Sequence, residues 1–306
     1  MKGMAEDIKV IVSSQSTLKR ALLRYRRSLR RRAALAPHNL AKTATLLVSD
    51  QYILAEWWDV TSNWGDALNP YLIQRISGRP VVHRRKVFDA HERPVYLVVG
   101  SILGIYEDPN QVVWGSGLLR PSRRLSTPPA EIKAVRGPLT RQALIDQGIP
   151  CPDVFGDPAL LLPRFYQPSV VKSYRLGFIP HYKERDHPAV KQISAEKGVR
   201  YIDICGPIED VVDQICSCEV IASSSLHGII AADAYGIPSL WFSFSELDEE
   251  GTFKYRDYHR SVGRKDDSPL VVTEKTSVHD ILQSVVDYEI DIDLDRLYDA
   301  CPFTST

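Results

Sequence analysis

The sequence predicts an α/β protein built from two Rossmann-like domains that face each other across a cleft. Three observations carry this prediction. Short apolar runs of buried-strand type alternate with helix-length segments over residues 45–165 and again over 166–306. Several runs end in small residues, as at Gly100-Ser101, Gly115-Ser116-Gly117 and Ser223-Ser224-Ser225. Small-residue turns after parallel strands are where α/β proteins open a ligand crevice. Finally, Tyr166–Ser173 follows neither period and reads as a link between the two sets.

The elements follow in order. Tyr52–Trp58 is an expected strand, Asn63-Trp-Gly-Asp66 a turn, and Asp66–Ile76 a helix that stops near Gly78. Pro80–His83, Val95–Val99 and Gln111–Trp114 are further strands, and Glu131–Val135 another. Pro138 suits the first turn of a helix over Leu139–Gln147. In the second set, strands over Arg175–Pro180, Val199–Ile204, Glu219–Ala222 and Pro238–Phe242 alternate with helices over Pro188–Lys197 and Ile208–Cys216. Ser277–Tyr288 is the expected final helix.

The most informative stretch is Ser223–Pro238. A buried strand runs into three serines, then His227, then Gly228 and a small-residue helix that Gly236 ends. Such a strand-to-helix turn leaves backbone N–H groups free at a sheet edge to hold an anion. A histidine there either moves a proton near neutral pH or only caps the helix.

Length and composition limit the function classes. The chain has 306 residues, 44% hydrophobic and 25% charged, enough for two domains with real cores. No apolar run reaches the ~18 residues of a membrane span, and the N-terminus lacks the pattern of a secretory signal. Five cysteines at odd spacings suggest reduced thiols in a cytosolic protein rather than a disulfide or zinc framework. Net charge is zero, but Thr17–Arg32 carries eight Lys and Arg residues and no acid. Leu18, Leu22, Tyr25 and Leu29 give that segment an apolar helical face. Residues 1–44 therefore read as a basic arm that docks on an anionic membrane or a partner, or sits in water; specific nucleic-acid binding is not expected.

No Walker loop, nucleophile elbow or His-Glu-x-x-His motif is present. Asp291-Ile-Asp293 reads as an acidic tail after the last helix rather than a metal site. An ordered series of motifs is more telling: Asn63-Trp-Gly-Asp66-Ala-Leu-Asn69, Gly100-Ser-Ile-Leu103, Val113-Trp-Gly-Ser-Gly117 and Ala134-Val-Arg136-Gly-Pro-Leu-Thr140. Gly156-Asp157-Pro-Ala159, Ile179-Pro-His181-Tyr182, Ser224-Ser-Leu-His227-Gly228 and Phe253-Lys254-x-x-Asp257-Tyr258 complete it. In this order and spacing, over roughly residues 50–265, the chain resembles the polysaccharide pyruvyltransferase family. The resemblance implies a fold similar to two-domain GT-B-like glycosyltransferases. It also implies transfer of the pyruvyl group of phosphoenolpyruvate onto sugar hydroxyls as a ketal, in surface or exopolysaccharide biosynthesis. No cofactor is expected beyond the donor itself, and no metal, because the sequence shows no convincing carboxylate or His/Cys ligand cluster. The acceptor would be a lipid-linked or polymeric saccharide at the cytosolic membrane face, with the basic arm as a peripheral contact.

Against that chemistry, His227 is the first candidate for proton transfer or phosphate binding in its cationic form, and His181 the second. Asp66 either orients and deprotonates the acceptor hydroxyl or caps its helix. Arg136 suits a bidentate anion clamp or a structural ion pair, and Lys254 is a second cation. Ser224, Ser225 and Gly228 complete the donor turn; Asn63, Gly100, Ser101, Ser116 and Asp157 belong to the acceptor side or to the structure of the cleft. Many family members carry arginine where Ser225 stands, so Lys254, another arginine, or serine hydroxyls with backbone N–H groups must hold the phosphate here. Two other readings use the same architecture: a nucleotide-sugar glycosyltransferase and a non-catalytic component of a polysaccharide assembly complex.

Overall fold

Two five-stranded parallel sheets form the scaffold of the computed structural model, which describes residues 52–60, 63–87 and 93–303. The first sheet contains β1 (Ile53–Ala55), β2 (Val81–His83), β3 (Val95–Leu97), β4 (Gln111–Trp114) and β5 (Glu131–Ala134), in the order β2-β1-β3-β4-β5. The second contains β6 (Tyr174–Ile179), β7 (Val199–Tyr201), β8 (Cys218–Ser223), β9 (Ser239–Ser243) and β10 (Leu270–Val271), in the order β10-β9-β8-β6-β7. Parallel pairing needs crossover connections, which is why apolar runs and helical segments alternate in the sequence.

Each crossover helix has local reasons to form. In α1 (Trp64–Ser77), Asn63 caps the start by accepting from the Asp66 N–H, and Gly78 ends it in the left-handed region at φ 66°. Its buried Trp64, Leu68, Leu72 and Ile73 face the core. Pro138 opens α2 (Pro138–Ile145), and Pro188 opens α3 (Pro188–Ser194) after a His187 cap. In α4 (Ile208–Cys216), Val211, Val212 and Ile215 are the buried face. α5 (Leu226–Ala234) is buried along almost its whole length by Ile229, Ile230, Ala231 and Ala232, and its small residues let it lie close to the sheet.

The second half departs from the sequence reading in three places. Glu249–Ser261 forms α6, thirteen residues capped by Asp248, where polar residues hide the buried stripe of Phe253, Tyr255 and Tyr258. The expected final helix is shorter, α7 (Val278–Gln283), and Tyr288 instead joins Asp233, Ser239 and Arg264 in a buried polar network. The chain then makes α8 (Leu294–Asp299). Asp291 and Asp293 are exposed, as expected of an acidic surface, but they belong to a structured segment and not to a tail. Asp293 caps α8 at 2.8 Å from the Arg296 N–H, and the Leu297 carbonyl accepts from Trp114 Nε1 at 2.9 Å.

The described residues from Ile53 onward form one compact unit. A single apolar cluster joins residues of both sheets, among them Ile53 and Trp114 with Ile179 and Ile221, and takes in Ile229 from α5. The C-terminal segment returns to the first sheet, where Phe303 stands edge-on to Tyr96 and Trp114. Among the described residues no helix is long and apolar enough to cross a membrane. The basic arm, residues 1–44, lies outside the described residues.

Candidate functional site

A cavity of about 240 Å³ opens where the carboxyl ends of strands from both sheets meet. Of the residues the sequence singled out, Asn63, Asp66, Gly100, Ser101, His181, Ser225, His227 and Lys254 line it. Arg136, Ser116, Ser224, Gly228 and Asp157 are not among its lining residues. Tyr182 and Lys183 line it beside His181, and Trp58, Ile105, Leu119 and Ile204 supply apolar wall.

Asp66 sits in the first turn of α1, where its backbone N–H is held by the Asn63 side chain at 3.1 Å. The Asn63 amide also donates to Asp66 Oδ2. Burial pushes the Asp66 carboxyl up to about 6, against the lowering effect of Asn63. That value suits a group that takes a proton near neutral pH. Asn69, one turn on, clamps α1 to the strand end beside Gly100: its amide donates to Val99 O at 3.0 Å and accepts from Val99 N at 2.9 Å.

His227 stands in the first turn of α5, against Gly65. A Cβ on Gly65 would lie 2.1, 2.3 and 2.4 Å from Nδ1, Cε1 and Cγ of the imidazole. These near-equal distances place Gly65 over the face of the ring, which explains why glycine follows Trp64. Burial pushes His227 down to about 3, helped by the positive charges of Lys254 and Arg136 and by His181. The imidazole is therefore neutral at pH 7, and the cationic role expected from the sequence requires a neighbouring negative charge to offset its surroundings. His227 Nε2 lies 3.9 Å from Asp157 Oδ2, and neither atom has a hydrogen-bond partner. Asp157 is fully buried, caps the following turn through the Ala159 N–H at 3.0 Å, and is pushed up by burial to about 7.

The other polar residues divide into wall and support. His181 is pushed down to about 4 by burial, then by Lys254 and Lys183. Ser224 supports it from behind: its hydroxyl accepts from the His181 N–H at 2.8 Å and donates to Glu184 at 2.5 Å. Ser116 donates to Gly100 O at 2.9 Å and so fixes the turn that carries Ser101. At Gly228 a Cβ would lie 2.3 Å from Ser223 Oγ, so the residue permits close packing of α5 on β8. Lys254 reaches the cavity from α6 and is pushed down to about 8, chiefly by burial and then by Arg136.

Arg136 is placed as the ion-pair alternative expects and not as an open clamp. It is fully buried. Its Nε donates to Asp257 Oδ2 at 3.0 Å, Nη1 to Ser101 Oγ at 2.5 Å and Nη2 to Leu118 O at 2.7 Å. Asp257 in turn accepts from the Thr140 N–H and hydroxyl. Gly117 and Gly137 leave room for this strut, since a Cβ would come within 2.5 Å of the guanidinium at one and 1.9 Å of Asp257 O at the other. Asp257 is the supporting residue that no role was assigned to in the sequence. Its signal was the Lys254-x-x-Asp257 spacing, which puts both side chains on one side of a helix.

The cavity can thus hold an anion and move protons beside it. The start of α5 has no side-chain cap, which leaves the Leu226 and His227 N–H groups for a ligand, while the Gly228 N–H already bonds Ser225 O at 3.0 Å. Lys254 and Lys183 add charge at the wall, and Arg136 adds it from behind. Among the described residues no group of three or more His, Cys, Asp or Glu is arranged to hold a metal ion.

Residues 63–246 match the family model described as "Polysaccharide pyruvyl transferase". The chain is 29% identical to the "Succinoglycan biosynthesis protein ExoV" of Rhizobium meliloti (strain 1021) over 215 residues, 68% of this chain and 64% of that protein. It is 33% identical to the "Uncharacterized protein L143" of Acanthamoeba polyphaga mimivirus over 192 residues, 60% of this chain and 64% of that protein. The matched region therefore spans just under two thirds of the length of these curated relatives.

Proposed function

The chain belongs to the polysaccharide pyruvyl transferase family, and from that premise we propose that it transfers the pyruvyl group of phosphoenolpyruvate to two hydroxyls of a saccharide, forming a cyclic ketal and releasing phosphate. The observation that carries the reading is one cavity holding a carboxyl raised to about 6, a neutral imidazole and an ammonium, from Asp66, His227 and Lys254. The similarity to a succinoglycan biosynthesis protein supports a polysaccharide acceptor. The acceptor is lipid-linked or polymeric, met at the cytosolic membrane face, with the basic arm holding the enzyme there.

In this mechanism the donor phosphate and carboxylate lie against the start of α5 and Lys254, with Ser225 at the turn. No arginine is needed at position 225, because Lys254 and Lys183 line the same cavity. Burial is the main reason His227 is neutral, and the bound anion offsets the lesser effect of Lys254 and Arg136, so donor binding raises the proton affinity of the imidazole. His227 then gives a proton to the methylene carbon of the donor, while Asp66 takes one from the attacking hydroxyl. The second hydroxyl closes the ketal as the carbon–oxygen bond to phosphate breaks. The proton count closes: two hydroxyls lose one each, the new methyl gains one, and phosphate carries the other. His181 and Ser101 orient the acceptor and the donor at the wall. The two sheets act as halves of the site, joined near residue 166, in an arrangement similar to GT-B-like enzymes.

Ligand-dependent thermal unfolding tests the donor. Phosphoenolpyruvate raises the midpoint of the purified protein and nucleotide sugars do not. The reverse result supports a glycosyltransferase instead. Surface polysaccharide from cells lacking the protein should also lose a pyruvyl-sized mass; unchanged mass argues against the whole reading.

A further inference from the structure

Two buried polar atoms face each other without partners at the back of the cavity: Asp157 Oδ2 and His227 Nε2, 3.9 Å apart. Buried polar atoms are rarely left unpaired. The 3.9 Å separation exceeds a direct N–H···O bond by only about 1 Å. A small shift of the imidazole closes it, as happens when a site tightens around its ligand. The ring cannot easily turn away, because Gly65 lies against its face. The Asp157 carboxyl is fixed too, by the Ala159 N–H on its other oxygen. The two ring nitrogens diverge, so with Nε2 turned inward the other edge faces the cavity that His227 lines.

We infer that Asp157 is a positioning residue: it pairs with His227 Nε2 and presents Nδ1 as the atom that exchanges a proton with the substrate. The inference rests on the proposed proton transfer by His227 and deepens it. With two protons the pair is neutral as a whole, and Nδ1 carries the proton to give. When Nδ1 releases it to the donor methylene carbon, the N–H bond breaks, a C–H bond forms from the alkene electrons, and Nε2–H stays with the carboxylate. The same nitrogen is then free to accept a proton. Asp157 thus lets a histidine surrounded by Lys254, Arg136 and His181 hold a proton without placing a further net charge in the buried site.

The test uses the full chain labelled with ¹⁵N-histidine, the His227 signals being identified by their loss in His227→Asn. At pH 8.5, above the value of about 7 to which burial raises Asp157, the proton sits on Nε2. In Asp157→Asn the amide donates to Nε2, so the proton moves to Nδ1. That variant keeps the size of the side chain and an oxygen for the Ala159 N–H, so its melting midpoint stays within a few degrees. Transfer from phosphoenolpyruvate is followed with saccharide lipid extracted from cells lacking the protein. We expect kcat to fall about 10²-fold or more, with KM for phosphoenolpyruvate changed less than about threefold. A proton on Nδ1 in the wild type, or wild-type kcat in Asp157→Asn, overturns the pairing. If the wild type does not use phosphoenolpyruvate, the functional reading fails, and the tautomer spectrum still decides whether Asp157 holds the ring.

Discussion

Gly65→Ala separates fold from chemistry in this site. Gly65 is in the first turn of α1, where alanine is the better helix former by about 1 kcal/mol. A methyl there would come 2.1–2.4 Å from three atoms of the His227 ring, while ordinary contact begins at 3.4 Å. The imidazole must therefore retreat by about 1 Å, and small overpacking of this kind costs roughly 1–3 kcal/mol. The two effects partly cancel to a net loss of about 0–2 kcal/mol, so the melting midpoint should fall by no more than about 5 °C. Displacing a proton-transfer group by about 1 Å, in contrast, costs on the order of 10²-fold in rate. Phosphoenolpyruvate binding by calorimetry should persist, because Lys254 and the start of α5 remain. The assay is phosphate release with saccharide lipid extracted from cells lacking the protein. A Gly65→Ala protein that folds and turns over at the wild-type rate would falsify the placement of His227 at the reacting atoms.

Three further outcomes follow from the charges around the cavity and beyond it. Lys254→Gln should weaken phosphoenolpyruvate binding about 10- to 100-fold, the value of one charge-assisted contact. It should also raise the proton affinity of both His181 and His227, since Lys254 depresses both; histidine NMR titration reads this without any acceptor. Glu56 is buried at the end of β1, and burial raises its carboxyl from 4.5 to about 7. The folded state therefore holds that proton more tightly than the unfolded chain, a contribution present below pH 4.5 and lost as pH rises through 7. Glu56→Gln should remove this dependence and gain up to roughly 3 kcal/mol over the wild type at pH 8, with little difference at pH 4, as measured by urea unfolding. Deleting residues 1–40 should abolish binding to vesicles containing phosphatidylserine while sparing turnover of a soluble acceptor, and equal vesicle binding would refute the membrane role of the arm.

The sequence made the strands legible where burial on both faces gives an apolar run, as at Val112–Trp114, and the expected strand Gln111–Trp114 is β4 with the same bounds. It made turns legible where a single residue type has a single use, as at Asn63 and Gly78 around α1. It hid α6, because that helix buries aromatic residues among charges and its mean hydropathy resembles a loop. It hid α8 because six residues are too few to show a period. Seven of the eight predicted site residues share one cavity because each follows the carboxyl end of a strand or begins the helix after it, and Lys254 reaches it from the second turn of α6. The partners of those residues were less visible. Asp157 and Gly65 meet His227 only after the chain has closed over itself, and sequence spacing carries no record of such a contact.

Arg136 takes the ion-pair alternative of its sequence reading and not the anion clamp. An arginine after a strand and before a proline-started helix has the local setting of an anion clamp. Its surroundings decide otherwise, since Asp257, Ser101 and Leu118 O take up its donors and leave no face on the cavity. The pair with Asp257 is completely buried on both sides, so removing one partner strands a charge and costs about 3–5 kcal/mol. Through the strut, Ser101 on the first sheet is tied to α6, the helix that also carries Lys254. Asp257→Ala should therefore lower the melting midpoint and donor binding together, and Arg136→Lys should do the same because an ammonium cannot serve three separate acceptors in the plane of a guanidinium. A loss of donor binding in Arg136→Lys with unchanged stability would return the residue to the role of a direct clamp.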